Sequence, residues 1–376
     1  MPLQSAFTLN SNEIFGSIAN MIISQEVYAD NIGKHQTLVD KARVDGGLFG
    51  DKKLYYATDV LKSEAWGPSA GTYPAYEQTE ASNLLALHRP ADPKVQDITL
   101  DVFRQISLTV DNYLSKRAWS SEGAFTQFNS VMLGWMRETK RVYDGTLYNV
   151  FIGTDETSVG GQQVSIDLGT GTGGALEGLT GLEKAKMEAM LIAQAIADLI
   201  VAMGDYSREF NDYGFLRSYA DESMKVIWNA AWINKIRKVD LPAIFHKEGL
   251  VDKFEEEKLP ARYFGTIQAT AVTGAAANTY RSMLEKDYTV SAVVYHVFPG
   301  DYIPAGANIA ANESYVEDPT IICKVVVKLP PFMSAFEAGT SFFNAKSLTE
   351  NHYLTFGHNT LEHLENYPLV TVRASL

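Results

Sequence analysis

The stretch from Asp97 to Asp111 constrains this chain more than any other. Its even positions are apolar except Arg104, and its odd positions are polar except Phe103. A period of two means one strand with a buried face and a wet face. At about 3.3 Å per residue the run spans roughly 50 Å, whereas an ordinary strand has about five or six residues. A compact domain has little use for so long a strand, so part of it is expected to project beyond the core.

A helix is expected almost at once. Ser120 and Ser121 are good N-caps, and Glu122 suits the positive end of the helix dipole. Phe125, Phe128, Met132, Trp135 and Val142 recur at three- and four-residue spacing, which draws a stripe along one face. Arg137, Glu138, Lys140 and Arg141 lie mostly off it. Gly145 is a plausible stop, giving a helix on the order of 33 Å from Gly123 to Asp144.

Composition narrows the function. The chain has 376 residues, 46% of them hydrophobic, and a net charge of −13. A strongly acidic chain lacks the basic face with which nucleic-acid binders displace counterions. A wall that encloses nucleic acid is compatible with it, because mild repulsion keeps contents off the wall. The single cysteine, Cys323, lies in an apolar run and reads as a buried small hydrophobe. One cysteine allows no disulfide within the chain, which suits a reducing compartment. The N-terminus has no basic region followed by an apolar core, so it does not read as a signal peptide. Ala189 to Met203 is the most apolar window and is too short to span a bilayer. A soluble protein is expected.

Along the chain, Asn12 to Tyr28 reads as a helix with the stripe Ile14, Phe15, Ile18 and Ile22. Gly46 to Gly50 is a break, and Lys52 to Val60 a strand. Leu61 to Lys94 is a weakly patterned stretch of aromatic, glycine and proline residues, including Trp66, Tyr73 and Tyr76. A loop so long is uncommon unless functional. Its flanking strands can pair as a two-stranded arm, and its aromatics suit an interface. Leu147 to Gly153 and Gln163 to Leu168 read as short strands. Leu182 to Met203 reads as a helix buried nearly all round. Strands are expected at Met224 to Asn229, Thr289 to Phe298, Thr320 to Leu329 and Pro368 to Arg373, with a short helix from Ala230 to Val239. No βαβ rhythm emerges, so the class is α+β.

Candidate chemistry is thin. Gly169 to Gly174 contains a Gly-x-Gly-x-x-Gly match. A dinucleotide site needs a helix N-terminus directly at the pyrophosphate. Here Ala175 to Gly181 intervenes, so a flexible inter-domain linker is the expectation. His352, His358 and His363 with Glu362 and Glu365 match no common zinc spacing. Glu255 to Glu257 reads as a solvated face. No nucleophile elbow is present. No catalytic, cofactor-binding or metal residue is expected.

The order of elements resembles the major capsid proteins of tailed bacteriophages, the Hong Kong ninety-seven type of shell protein. Val95 to Phe128 resembles that family's arm strand running into its spine helix. Met224 to Lys235, followed by Val239 to Phe245, resembles a segment of its axial domain. The resemblance implies an N-arm (1–50), an extended-loop arm (51–111), a spine helix with the first part of a peripheral domain (112–172), an axial domain (173–330) and a return to the peripheral domain (331–376). It implies pentamers and hexamers closing into an icosahedral virion shell around double-stranded DNA, assembled in the host cytoplasm. Portal, scaffolding and decoration proteins are the implied partners, with no membrane, no cofactor and no enzymatic activity. Some family members begin with a long cleavable scaffold segment, whereas this chain starts close to the N-arm. Trp66, Tyr73, Tyr76, Ile14, Phe15 and Ile18 are the expected subunit contacts. Two alternatives stand beside this reading: a bacterial nanocompartment shell of the same fold, and a nucleotide-binding enzyme using Gly169 to Gly174.

Overall fold

The computed structural model describes residues 37–45, 52–61, 63, 89–111, 122–155, 162–237 and 255–376. Helix α1 (Thr37–Ala42) leads into β1 (Arg43–Asp45), followed by β2 (Lys52–Ala57) and the 18-residue β3 (Lys94–Asp111). The long helix α2 (Glu122–Gly153) runs into β4 (Thr154–Asp155) and then β5 (Gln163–Asp167). Helix α3 (Gly181–Gly204), β6 (Lys225–Asn229), α4 (Ala230–Arg237) and β7 (Glu255–Leu259) come next. A β-rich stretch follows: β8 (Gly265–Ile267), β9 (Tyr280–Ser282), β10 (Lys286–Val290), β11 (Val293–Val297) and β12 (Ser314–Glu317). The chain closes with β13 (Ile321–Val326), β14 (Phe332–Asn344), β15 (Thr349–Asn359) and β16 (Leu369–Ser375).

Two five-stranded sheets dominate. The first has the order β1-β14-β15-β3-β2 and the second β5-β16-β13-β6-β7. A four-stranded sheet, β4-β8-β12-β9, and the β10-β11 hairpin complete the strand pairing.

The second sheet is covered on both faces. Cys323 and Val325 of β13 join Val226, Trp228, Val370 and Val372 in a core closed by Ile192, Ile196 and Leu199 of α3 and Trp232 and Ile233 of α4. Ile227, Ile321 and Val326 turn the other way. They meet Leu147, Tyr148, Val150 and Ile152 of α2, and also Phe332 and Phe356 of the first sheet. Helix α2 therefore lies between the two sheets. Strands buried on both faces read as continuous apolar runs, and β13 does.

The alternation in β3 is realised as expected. Its even positions from Leu100 to Leu108 are partly covered and its odd positions open. Its first six residues pair with β2, Lys52↔Thr99 through Ala57↔Lys94, the pairing expected at the base of an arm. The rest pairs with β15, from Leu100↔Asn359 to Asp111↔Thr349. Phe103, the one odd apolar position, lays its ring over Gly357 of β15. A Cβ there would sit 3.0 Å from that ring, tight enough that the ring would have to give by a few tenths of an ångström.

Several expectations are corrected. The helix does not stop at Gly145 but runs 32 residues to Gly153, roughly 48 Å. The strand expected at Leu147 to Gly153 is its last two turns. Leu147, Tyr148, Val150 and Ile152 are buried there, and this burial outweighs their modest helix propensity. The real stop is sterically marked: a Cβ on Gly153 would lie 2.2 Å from the Tyr263 carbonyl oxygen. Helix α3 is not buried all round, since Leu182, Met187, Met190 and Val201 are exposed. At 24 residues α3 is long and apolar enough to cross a bilayer, yet its inner face packs in the core just described. Thr289 to Phe298 is not one strand but parts of β10 and β11, turned at Ser291 and Ala292, both with positive φ. Glu255 to Glu257 opens β7, paired parallel with β6, and Glu257 accepts from Lys41 at 2.5 Å.

Candidate assembly surface

The enzyme-like features are resolved by their hydrogen bonds. Gly169 to Gly174 joins β5 to α3 within one core, flanked by the buried Leu168 and Leu176. It is a tied turn rather than a linker between domains. Asp167 accepts from the Gly169 and Ala175 amides (2.9 and 3.0 Å), and Glu177 accepts from the Gly173 amide at 2.7 Å. Leu176 N–H bonds to Gly169 O at 3.0 Å. A phosphate cradle needs such amides free and unopposed by charge. Here two carboxylates already occupy that role, which removes the nucleotide-site geometry.

The three histidines do not converge. His358 is buried on β15, donating from Nδ1 to Asn359 O and accepting from Tyr143 Oη, both at 2.8 Å. His363 stacks on Phe151. His352 lies near Glu350. Among the described residues no cluster of three metal-ligating side chains is found. Cys323 is buried in β13, as expected, and burial pushes its thiol up.

What the chain builds instead is a set of rigid joints and open surfaces. In the C-terminal third of α2, the buried Asp144 accepts from Lys140 Nζ (3.1 Å) and Arg43 (3.3 Å) on one oxygen. Its other oxygen has no partner among the described residues. Burial pushes the Asp144 carboxyl up against the pull of Lys140 and Arg43. Beside it the Arg104 guanidinium of β3 lies 4.7 Å from the Tyr143 ring. This joint fixes α2 on the covered face of the first sheet. Residues 58 and 59, just past β2, are clamped to the segment after α3. Asp59 accepts from Arg208 at 2.7 Å and from Leu216 N–H at 3.1 Å, and Arg217 donates to Thr58 O at 2.5 Å. The Arg208 bond, helped by the Leu216 amide, holds the Asp59 carboxyl down to about 2.

Open apolar side chains sit on several elements, among them Val95 and Phe103 of β3 and Trp135 of α2. Leu54, Tyr56, Val60 and Leu61 lie on and after β2; Met187, Met190 and Val201 lie on α3, with Tyr206 just beyond; Val293, Val294 and Tyr295 lie on β11; and Phe342, Phe343 and Leu348 lie at the β14–β15 tip. The sequence-predicted contacts Trp66, Tyr73, Tyr76, Ile14, Phe15 and Ile18 all lie outside the described residues. Sequence reasoning missed the β14–β15 tip. The Ser341-Phe342-Phe343 run beside Asn344 and Lys346 was the available signal.

No protein-family model matches the chain, and no curated protein matches it in sequence. Solved structures do match in shape. A chain of the capsid structure of Staphylococcus phage Andhra superposes with a TM-score of 0.58 at 9% identity, over 94% of this chain and 87% of that one. A chain from the structure of the head fiber and inner core protein gp22 of native bacteriophage P68 superposes with a TM-score of 0.56 at 9% identity, over 88% and 83%. This chain has the phage-capsid fold.

Within it, Asp144 with Lys140 helps hold α2 to the first sheet, and Asp59 with Arg208 holds the segment after β2 to the segment beyond α3.

Proposed function

We propose that the chain is the major shell protein of a phage head, closing as pentamers and hexamers into an icosahedral wall around double-stranded DNA. The observation that carries this reading is the spread of open apolar side chains over several elements of a capsid fold. A protein with one partner needs one such patch, whereas a shell subunit meets neighbours on several sides. Each patch covered by a neighbour returns about 25 cal/mol per Å² removed from water. The net charge of −13 suits a wall that contains DNA without gripping it. The same reading takes residues 1–50 as an N-arm, 51–111 as the extended-loop arm, 112–172 with 331–376 as the peripheral part and 173–330 as the axial part. Trp66, Tyr73, Tyr76, Ile14, Phe15 and Ile18 are proposed as further subunit contacts. A structural, non-enzymatic role follows, with portal, scaffolding and decoration proteins as partners and the virion as the site of action after assembly in the host cytoplasm.

Negative-stain microscopy of the purified full-length protein tests it. The expected result is closed particles of uniform diameter. Monomers under every condition tried, including in infected cells, would refute it. Deleting residues 62–88 is expected to leave folded subunits or capsomers that do not close. Intact wild-type shells from that deletion would remove the arm from the account.

A further inference from the structure

The far end of α2 leaves a problem that its own sequence does not solve. Its last turn carries no basic residue, so terminal carbonyls and the negative end of a 32-residue dipole lack a local cation. The cation comes from the second sheet. Lys324 sits in mid-β13, fully buried, between Ile227 of β6 and Thr371 of β16. Its Nζ donates to the Thr154 carbonyl, one residue past the helix, at 2.5 Å.

The charged groups around it are already engaged. Asp155 of β4 accepts from Arg373 of β16 at 3.2 Å and from Gln163 of β5 at 3.3 Å. Arg373 also pairs with Asp318. His363 stacks on Phe151 of α2 with ring centroids 4.8 Å apart. Asp155 attracts the ammonium and Arg373 repels it, but burial is the larger force and pulls Lys324 down to about 8. The folded chain thus holds this proton less tightly than the unfolded chain does. The stability contributed by this group rises as pH climbs from about 8 toward the ordinary 10.5. At neutral pH the charge is therefore kept against the fold's own preference.

We infer that Lys324 is a positioning residue: it fixes how α2 seats on the second sheet, and it lowers the stability of the subunit in doing so. An apolar side chain of similar length would fill the same space and accept more than one seating of the helix. A directed hydrogen bond from a buried charge accepts one. Gly153, pressed against the Tyr263 carbonyl, leaves the same junction no slack. In a closed shell every subunit must present its surfaces at a set angle, so the cost of the charge is repaid at assembly. That last step rests on the capsid reading; the seating of the helix does not.

The test is Lys324→Met in the full-length chain. In the unassembled subunit the melting temperature is expected to rise by about 2 °C or more at pH 7.5. The gap over wild type is expected to close as pH is raised to 10. Amide exchange at residues 151–155 is expected to be faster in the variant despite its higher melting point. Particles from the variant are expected to spread in diameter, with uniform closed shells reduced at least several-fold. A lower melting temperature, a variant that fails to fold, or variant shells as uniform as wild type would each overturn the inference. Wild-type exchange at residues 151–155 gives a second reading without mutation. Corrected for base catalysis, it is expected to quicken between pH 7 and 9.5, and a flat profile counts against Lys324. If wild type forms no particles at all, the capsid reading fails, while the melting and exchange results still decide the seating.

Discussion

β13 and β3 are each a strand of a five-stranded sheet, yet all six side chains of β13 are buried and only two of the eighteen in β3. The difference lies in what covers them. β13 has a strand on each side and a packed core on each face. Beyond Thr99, β3 has β15 on one edge and, among the described residues, no strand on the other. One region is complete within a single chain. The other alternates instead of running apolar and, among the described residues, is left half-covered.

The comparison can be broken first where it is strongest. Val325→Asp puts a charge into the closed sheet and is expected to cost more than about 4 kcal/mol. Denaturant titration should find little or no folded subunit. Phe356→Ala, at the contact of the first sheet with α2, is expected to cost about 3–5 kcal/mol. Acid should act on the same contact. Burial lowers the His358 pKa, so the fold favours the neutral ring while the unfolded chain takes up a proton near pH 6.5. Its contribution is complete above about pH 6.5 and falls as the solution is acidified, with a slope of up to about 1.4 kcal/mol per pH unit. His358→Gln should flatten the stability profile between pH 6.5 and 5. Gly357→Ala pushes on the Phe103 ring and is expected to cost about 1 kcal/mol. Adding Phe103→Ala should return part of that, a coupling that a double-mutant cycle measures. The smallest effect on folding sharpens the contrast most. Phe342→Ser on the open tip should move subunit stability by less than about 0.5 kcal/mol while reducing closed shells counted by microscopy. A large loss of subunit stability there would mean that the tip is finished within its own chain.

The legible parts of the fold were those where a single period ran unbroken. From Asp97 to Asp111 β3 alternates at every position but two, and β13 is apolar except Lys324, so both could be read as strands. The end of α2 was not legible. Leu147, Tyr148, Val150 and Ile152 have the composition of a strand, and only the cores on either side make them helical. The β10–β11 turn was hidden because Ser291 and Ala292 adopt positive φ without the usual glycine or asparagine. The outer face of α3 was misread because alanine and methionine suit a core as well as a surface awaiting one. Of the candidate surface, the β2 end was foreseen as the root of an arm. The β14–β15 tip is a local hairpin whose Ser341-Phe342-Phe343 run was overlooked, whereas the Asp59 clamp joins residues about 150 apart in the chain, which no local pattern reports.

The sealed position of Cys323 has a practical use. With its thiol at 0% exposure in the middle of the closed sheet, a maleimide can reach it only when β13 parts from its neighbours. Labelling kinetics would then count openings of that sheet one molecule at a time, in free subunits and in assembled particles alike. The chain carries its own gauge of how often its interior breathes, with no engineered probe required.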